Sequence, residues 1–274
     1  MLQNFIPPTN QPTILPPDYP TEYIEWRVNF FGREFIVTPD VLIPRLETES
    51  LVRKARKILQ HSIVVDIGCG SGIIGISVAD LADEVIFLDI SPAALEIAEK
   101  NFRTHFPEKK AQFIVSDLLS NLLEKGGVTN EMSDGDLVLE NIDTPIPLSQ
   151  SDIPISQGGR VLFLTNLPYI KADDWEHMSP DTRHEPQLAL FGGESTGFEL
   201  YERLFDQLSA LAPLIRGGGG FARWRCLFEF WFDQREIAEN HLKTKYPQWE
   251  YSFFADYAGV ERFGEVLLIS KLYI

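Results

Sequence analysis

The sequence predicts an α/β fold with parallel strands that feed polar and glycine-rich turns, on three observations. Ile63-Val-Val-Asp-Ile-Gly-Cys-Gly-Ser-Gly-Ile-Ile-Gly75 runs apolar to Asp66, breaks into Gly68, Gly70 and Gly72, and then takes helical spacing: a strand, a tight turn and a helix N-terminus. Val85-Ile-Phe-Leu-Asp89 reads as a second buried strand. It ends in a carboxylate 17 residues beyond Gly72, where a βαβ unit presents an acid to ribose hydroxyls. Arg160-Val-Leu-Phe-Leu-Thr165 reads as a third, delivering Asn166-Leu-Pro-Tyr169 at its tip. Glycines at this alternation let the backbone take positive φ and approach a ligand, whose polar groups then meet free amides at the helix start. Glycines that merely close a βα turn would not need Asp89; together the two features read as a nucleoside site.

The spacing is Asp-x-Gly-x-Gly-x-Gly rather than the Gly-x-Gly-x-x-Gly that packs a pyrophosphate on the helix. It resembles the first motif of class I S-adenosylmethionine (SAM) methyltransferases, whose cofactor carries no pyrophosphate.

Composition bounds the possibilities. A chain of 274 residues that is 44% hydrophobic suffices for one large α/β domain with an appendage, or for two modest domains. With 24 basic and 40 acidic side chains the formal charge is −16, which repels phosphate backbones and disfavours a broad nucleic-acid footprint. Two cysteines, Cys69 and Cys226, are too few for a disulfide framework, and with no signal peptide or membrane-length apolar run the expected setting is the cytoplasm.

In chain order, Pro7, Pro8, Pro12, Pro16, Pro17 and Pro20 exclude regular helix or central strand from residues 1–22, which read as an extended arm, a disordered tail unless it wraps the body. Val28, Phe30, Phe35 and Val37 alternate around Gly32-Arg33, predicting a β-hairpin within residues 23–46. Pro44 disfavours helix at Ile43, and Leu51, Val52, Ala55, Ile58 and Leu59 set a helical stripe behind Glu47 to Glu49.

"FFGREFIVTPDVLIPRLETESLV" followed by "DIGCGSGIIGISVA" resembles the HemK-type protein-(glutamine-N5) methyltransferases, which modify the glutamine of the Gly-Gly-Gln loop in peptide-chain release factors. The likeness continues through Asp89, Asn101 and Phe113-Ile-Val-Ser-Asp117, and through Arg183-His-Glu-Pro-Gln-Leu-Ala-Leu-Phe-Gly-Gly193 and the closing Asp256-Tyr…Glu261-Arg, before an expected last strand from Val266 to Tyr273. It implies a seven-stranded, mostly parallel sheet with helices on both faces, a final antiparallel hairpin, and a methyltransferase domain over residues 47–274. It also implies a cofactor site of Asp66, Gly68, Cys69, Gly70, Ser71, Gly72 and Asn166, with Asp89 on the ribose and Asp117 with Leu118 on the adenine. An aromatic commonly follows that aspartate in the family, so Leu118 implies weaker stacking. The family usually carries an N-terminal helical bundle, where here only the proline arm precedes the hairpin.

Asn166, Leu167, Pro168 and Tyr169 are the expected catalytic tip. An amide nitrogen is a poor nucleophile, so a site must hold its NH₂ in line with the donor methyl; the Asn166 oxygen and the Leu167 carbonyl can each accept one N–H. Pro168 stiffens the bend, and the Tyr169 ring can pack on the planar amide. HemK-type proteins typically have Asn-Pro-Pro-Tyr, while Asn-Leu-Pro-Tyr is similar to the motif of ribosomal-RNA adenine-N6 dimethyltransferases. The expected substrate is a release-factor glutamine. Adenine-N6 methylation of RNA or DNA is the alternative, and a catalytically idle SAM-fold partner the third reading, suggested by Leu118 and by Trp231 in place of a family glycine near Glu229 and Gln234. His184 reads as structural rather than as a base.

Residues 121–160 depart from the pattern. Asp134, Asp136, Glu140, Asp143 and Asp152 with Pro145, Pro147 and Pro154 read as an acidic surface insertion, solvated and mobile, with a substrate-gating flap or docking element as the alternative. Arg223 and Arg225 are unexpected in a buried strand, and pairing with this insertion is the one partner the sequence suggests.

Overall fold

The computed structural model describes residues 15–59, 62–124, 160–211 and 223–269. The arm ends in a short helix, α1 (Thr21–Glu25), which begins earlier than its prolines suggest because Pro20 sits at the N-cap, where no N–H is needed. Residues 15–20 do not trail away: the Tyr19 ring packs against Tyr23 and His184, and His184 lies 3.4 Å from Asp18. Strands β1 (Arg27–Phe30) and β2 (Arg33–Ile36) form the expected hairpin.

The main sheet alternates strand and helix: α2 (Thr48–Ile58), β3 (Ser62–Ile67), α3 (Ile73–Val78), β4 (Glu84–Asp89), α4 (Pro92–His105), β5 (Ala111–Val115), α5 (Ser120–Glu124) and β6 (Arg160–Thr165). After β6 come two short strands, β7 (Ile170–Lys171) and β8 (Phe191–Gly193), then α6 (Glu199–Leu211), β9 (Arg223–Glu229), α7 (Arg235–Lys245), β10 (Glu250–Ala255) and β11 (Glu261–Ile269). Seven strands lie in the order β10-β11-β9-β6-β3-β4-β5. Five are parallel, and β11 runs antiparallel between β9 and β10, as expected.

Both faces are covered. On one, Val65, Phe163 and Cys226 pack under Tyr201, Leu204, Phe205 and Leu208 of α6 and Ala238 and Leu242 of α7. On the other, Val64, Leu162 and Leu227 pack under Leu51, Val52 and Ala55 of α2, Ile74 and Ile76 of α3, and Leu95, Ala98 and Phe102 of α4. Continuous apolar strands fit this two-sided burial. Among the described residues no helix is long and apolar enough to cross a membrane.

Three expectations need correcting. Arg225 pairs with Glu265 on β11 at 2.7 Å, so its partner is the neighbouring strand. The last strand starts at Glu261 rather than Val266, because Asp256 Oδ1 accepts the N–H groups of Ala258 and Val260, and this tight turn launches β11 early. Residues 121–124 belong to α5; the remainder of the acidic insertion, 125–159, lies outside the described residues.

Candidate active site

Strands β3 and β6 are parallel neighbours with Ile67 opposite Thr165, so the glycine turn and Asn166 leave the sheet side by side. The Thr165 hydroxyl donates to the Ile67 carbonyl at 2.9 Å, stitching the two strand ends together. A Cβ on Gly68 would stand 2.8 Å from Leu167 Cδ2, so the two tips touch. Gly68, Gly70 and Gly72 have φ of 63°, 51° and 80°, a region costly for other residues.

The turn is braced from three sides. Asp89 Oδ2 accepts Gly70 N–H and its Oδ1 accepts Ser91 N–H, each at 2.9 Å. Asn101, fully buried on α4, donates through Nδ2 to Ser71 O and Ile36 O and accepts Ile36 N–H, tying the hairpin to the turn. Behind it, Asp66 Oδ2 accepts Gly75 N–H at 2.7 Å while its Oδ1 has no partner among the described residues, and burial pushes this carboxyl up to about 8.

Two clefts meet at the tip of β6. The first, about 440 Å³, is lined by Gly68, Cys69, Gly70, Ser71, Asp89, Asp117, Leu118, Asn166, Leu167 and Pro168. The second, about 620 Å³, is lined by Asn166 to Ile170, Met178, Thr182, Trp231 and Phe232. Asn166, Leu167, Pro168 and Arg45 border both. Of the residues singled out from sequence, Asp66 and Gly72 do not line the first cleft: Asp66 lies beneath the turn, and Gly72 faces Ala98 on α4. Tyr169 borders only the second, its ring 5.4 Å from that of Trp231. Asp117 is half-exposed and pairs with Arg203 of α6, a residue that also lines the first cleft. Leu118 is buried with φ of 53°, a strained value for a residue with a Cβ.

Chains of similar sequence decide the family. A family model described as the methyltransferase small domain matches residues 41–128. The release factor glutamine methyltransferase of Bacillus anthracis is 32% identical over 258 residues, spanning 90% of this chain and 76% of that protein. The chain belongs to the release factor glutamine methyltransferase family. The Enterococcus faecalis relative is 30% identical over 250 residues, 89% of this chain and 74% of that protein. Among solved structures, the catalytic domain of hMettl16 with a MAT2A 3'UTR hairpin overlays with a TM-score of 0.56 at 12% identity, covering 88% of this chain and 77% of that one, a likeness of fold. The seven-stranded sheet, five of its strands parallel, is the class I SAM-methyltransferase architecture.

Three contacts around this family site join segments far apart in sequence. Glu185 accepts Ile43 N–H at 2.9 Å and pairs with Arg45, clamping the Pro44 bend against the segment after β6. Burial raises the Glu185 carboxyl while Arg45 opposes it. Gln234 donates to the Tyr169 and Thr196 carbonyls at 2.8 Å each and accepts Trp231 N–H, holding the β6 tip to the start of α7. Asn166 Nδ2 donates to Thr48 Oγ1 at 3.3 Å, and Thr48 donates to Glu229 Oε2 at 2.7 Å. Sequence reading gave Thr48 and Tyr201 no role: Thr48 looks like an N-terminal helix residue, Tyr201 like core. A polar side chain on an otherwise buried helix face was the available signal.

Proposed function

We propose that this chain transfers the methyl group of SAM to the side-chain nitrogen of a release-factor glutamine, with the donor in the first cleft and the amide in the second. The observation that carries the reading is the shared wall: Asn166, Leu167 and Pro168 border both clefts, so groups held in each meet at the β6 tip.

The first cleft fits the cofactor. Where Gly70 would carry a Cβ no described residue comes within 4 Å, so the turn offers bare backbone to a ligand. The Asp89 carboxylate keeps acceptor capacity beyond the backbone N–H groups of Gly70, Ser91 and Ile90, which suits a ribose hydroxyl. In this reading Asp117 and Leu118, which line the same cleft, take the adenine. SAM, when bound, supplies a methyl group made electrophilic by a positively charged sulfur.

The protein's part is to orient the nitrogen. Asn166 Oδ1 and the Leu167 carbonyl accept its two hydrogens, which aims the lone pair and favours the positive charge that the nitrogen develops. Leu167 in place of proline preserves that contact, because it is main chain. Tyr169 and Trp231 supply a flat apolar wall for the planar amide. No base is needed before transfer, and His184, packed on Tyr19, lines neither cleft.

The net charge of −16 disfavours a phosphate backbone, and two free cysteines suit the reducing cytoplasm where release factors work. A second reading, transfer to adenine N6, has Asn166-Leu-Pro-Tyr in its favour. Incubation of the purified chain with methyl-labelled SAM, a Gly-Gly-Gln release factor and total RNA separates them. Label on the glutamine peptide by mass spectrometry is expected; label in RNA alone overturns the protein reading.

A further inference from the structure

Both acceptors at the β6 tip are set from behind by one residue, Glu229 at the end of β9. Thr48 and Glu229 are each 1% exposed, so water does not compete for their bonds. An ionised carboxylate has no proton to give; the Thr48 hydroxyl must therefore donate its single hydrogen to Glu229 Oε2. Only lone pairs of Thr48 Oγ1 then face Asn166, and they accept from Nδ2. With its nitrogen end turned to Thr48, the carboxamide leaves Oδ1 for the cleft. The next residue is held in parallel: Tyr201 donates to the Glu229 main-chain carbonyl and accepts Leu167 N–H at 2.9 Å.

We propose that Thr48 is a positioning residue that relays the fixed polarity of Glu229 to Asn166 and so decides which end of its carboxamide meets the substrate nitrogen. The proposal rests on the reading that Asn166 accepts an N–H of the substrate amide, and deepens it. A carboxamide turned over would set NH₂ against NH₂, two donors face to face, and the nitrogen lone pair would lose its aim.

The relay has a proton-dependent consequence. A protonated Glu229 donates to Thr48, whose own hydrogen then swings to Asn166 and favours the inverted carboxamide. Burial pushes Glu229 up to about 7; the Thr48 hydrogen bond, Arg262 and Arg45 lower it and Glu47 raises it. The Tyr169 and Tyr201 phenols also face it, and burial raises both, so they stay neutral.

Thr48→Val keeps the shape and deletes the hydroxyl. Its kcat at pH 8 should fall about tenfold or more with SAM affinity within about twofold of wild type, while Thr48→Ser retains most of the turnover. Wild-type kcat should rise through an acid limb near pH 7 that Thr48→Val lacks, a readout that simple loss of packing would not move. Should Thr48→Val fail to fold, Glu229→Gln, which cannot ionise, must lose the same limb. Independently of turnover, isotope-labelled protein should give a nuclear Overhauser contact from the Asn166 Nδ2 protons to the Thr48 methyl at pH 8, lost below about pH 6. Wild-type turnover and pH profile in Thr48→Val, or no such contact, overturns the relay. If wild type methylates no glutamine, it is the functional reading that fails, and the nuclear Overhauser contact still judges the relay.

Discussion

A single side chain in the donor cleft has a measurable effect that follows from its type. Leu118 lines the cleft at the position proposed for adenine, where an aliphatic group offers dispersion but no ring face. Exchange for an aromatic adds about 1 kcal/mol of stacking, so Leu118→Phe should tighten SAM about fivefold by titration calorimetry. Unchanged or weaker binding by a variant that melts like wild type would remove adenine from that wall. The Asn166 carboxamide matters in the opposite way: Asn166→Ala should leave SAM affinity nearly intact and reduce kcat about a hundredfold, since one of two acceptors is gone. Parallel losses of affinity and turnover in that variant would place Asn166 on the cofactor rather than the acceptor side.

At the scale of elements, the β6 tip is shaped by what approaches it from outside the sheet. A Cβ on Gly192 in β8 would stand 2.4 Å from the Pro168 carbonyl and 2.1 Å from that of Gly197, and neither backbone group can swing aside. Gly192→Ala should therefore displace the tip, lowering kcat more than tenfold and stability by about 2 kcal/mol, with SAM affinity little changed. Kinetics within twofold of wild type would mean the tip is set by β6 alone. Glu185→Ala removes the partner of Arg45 and the acceptor for Ile43 N–H together. Because Arg45 keeps about a third of its side-chain exposure, the cost should be about 2 kcal/mol by urea denaturation rather than the larger loss of a wholly buried pair. These contacts mark what the chain withheld from sequence reading. Strand–turn–helix periodicity and terminal polar residues announced β3, β4 and β6 and their tips. The stretch from Ile170 to Gly193 has no period, since its two short strands and its turns take their order from Arg45, Gln234 and the β6 tip. The family resemblance puts Asp66 in the cofactor site, yet its alternation along β3 directs it beneath the turn to Gly75 N–H.

For the whole molecule, the buried carboxyls set stability and turnover against each other as pH changes. Burial raises Asp66 from 3.8 to about 8 and Glu229 from 4.5 to about 7, and raises Asp89 and Glu185 as well. A carboxyl whose folded pKa exceeds its unfolded one binds more protons in the native state. Its stabilisation is complete below the unfolded value and is lost as pH rises to the folded one. Asp66 alone has a limiting slope of about 1.4 kcal/mol per pH unit across that window. The more exposed Asp80 and Asp206 are lowered, by the Arg56 hydrogen bond and by Lys245 and Tyr246 respectively, so they lose stability only in acid. Stability should therefore peak in mildly acidic solution and fall by several degrees in melting temperature between pH 6 and pH 8.5, with Asp66→Asn flattening the fall. Over the same interval Glu229 ionises and its acceptor-only polarity reaches Asn166 through Thr48, so turnover should rise as the melting temperature drops. A melting temperature that climbs with pH across this range would mean Asp66 is already ionised at neutrality, with a donor on its second oxygen.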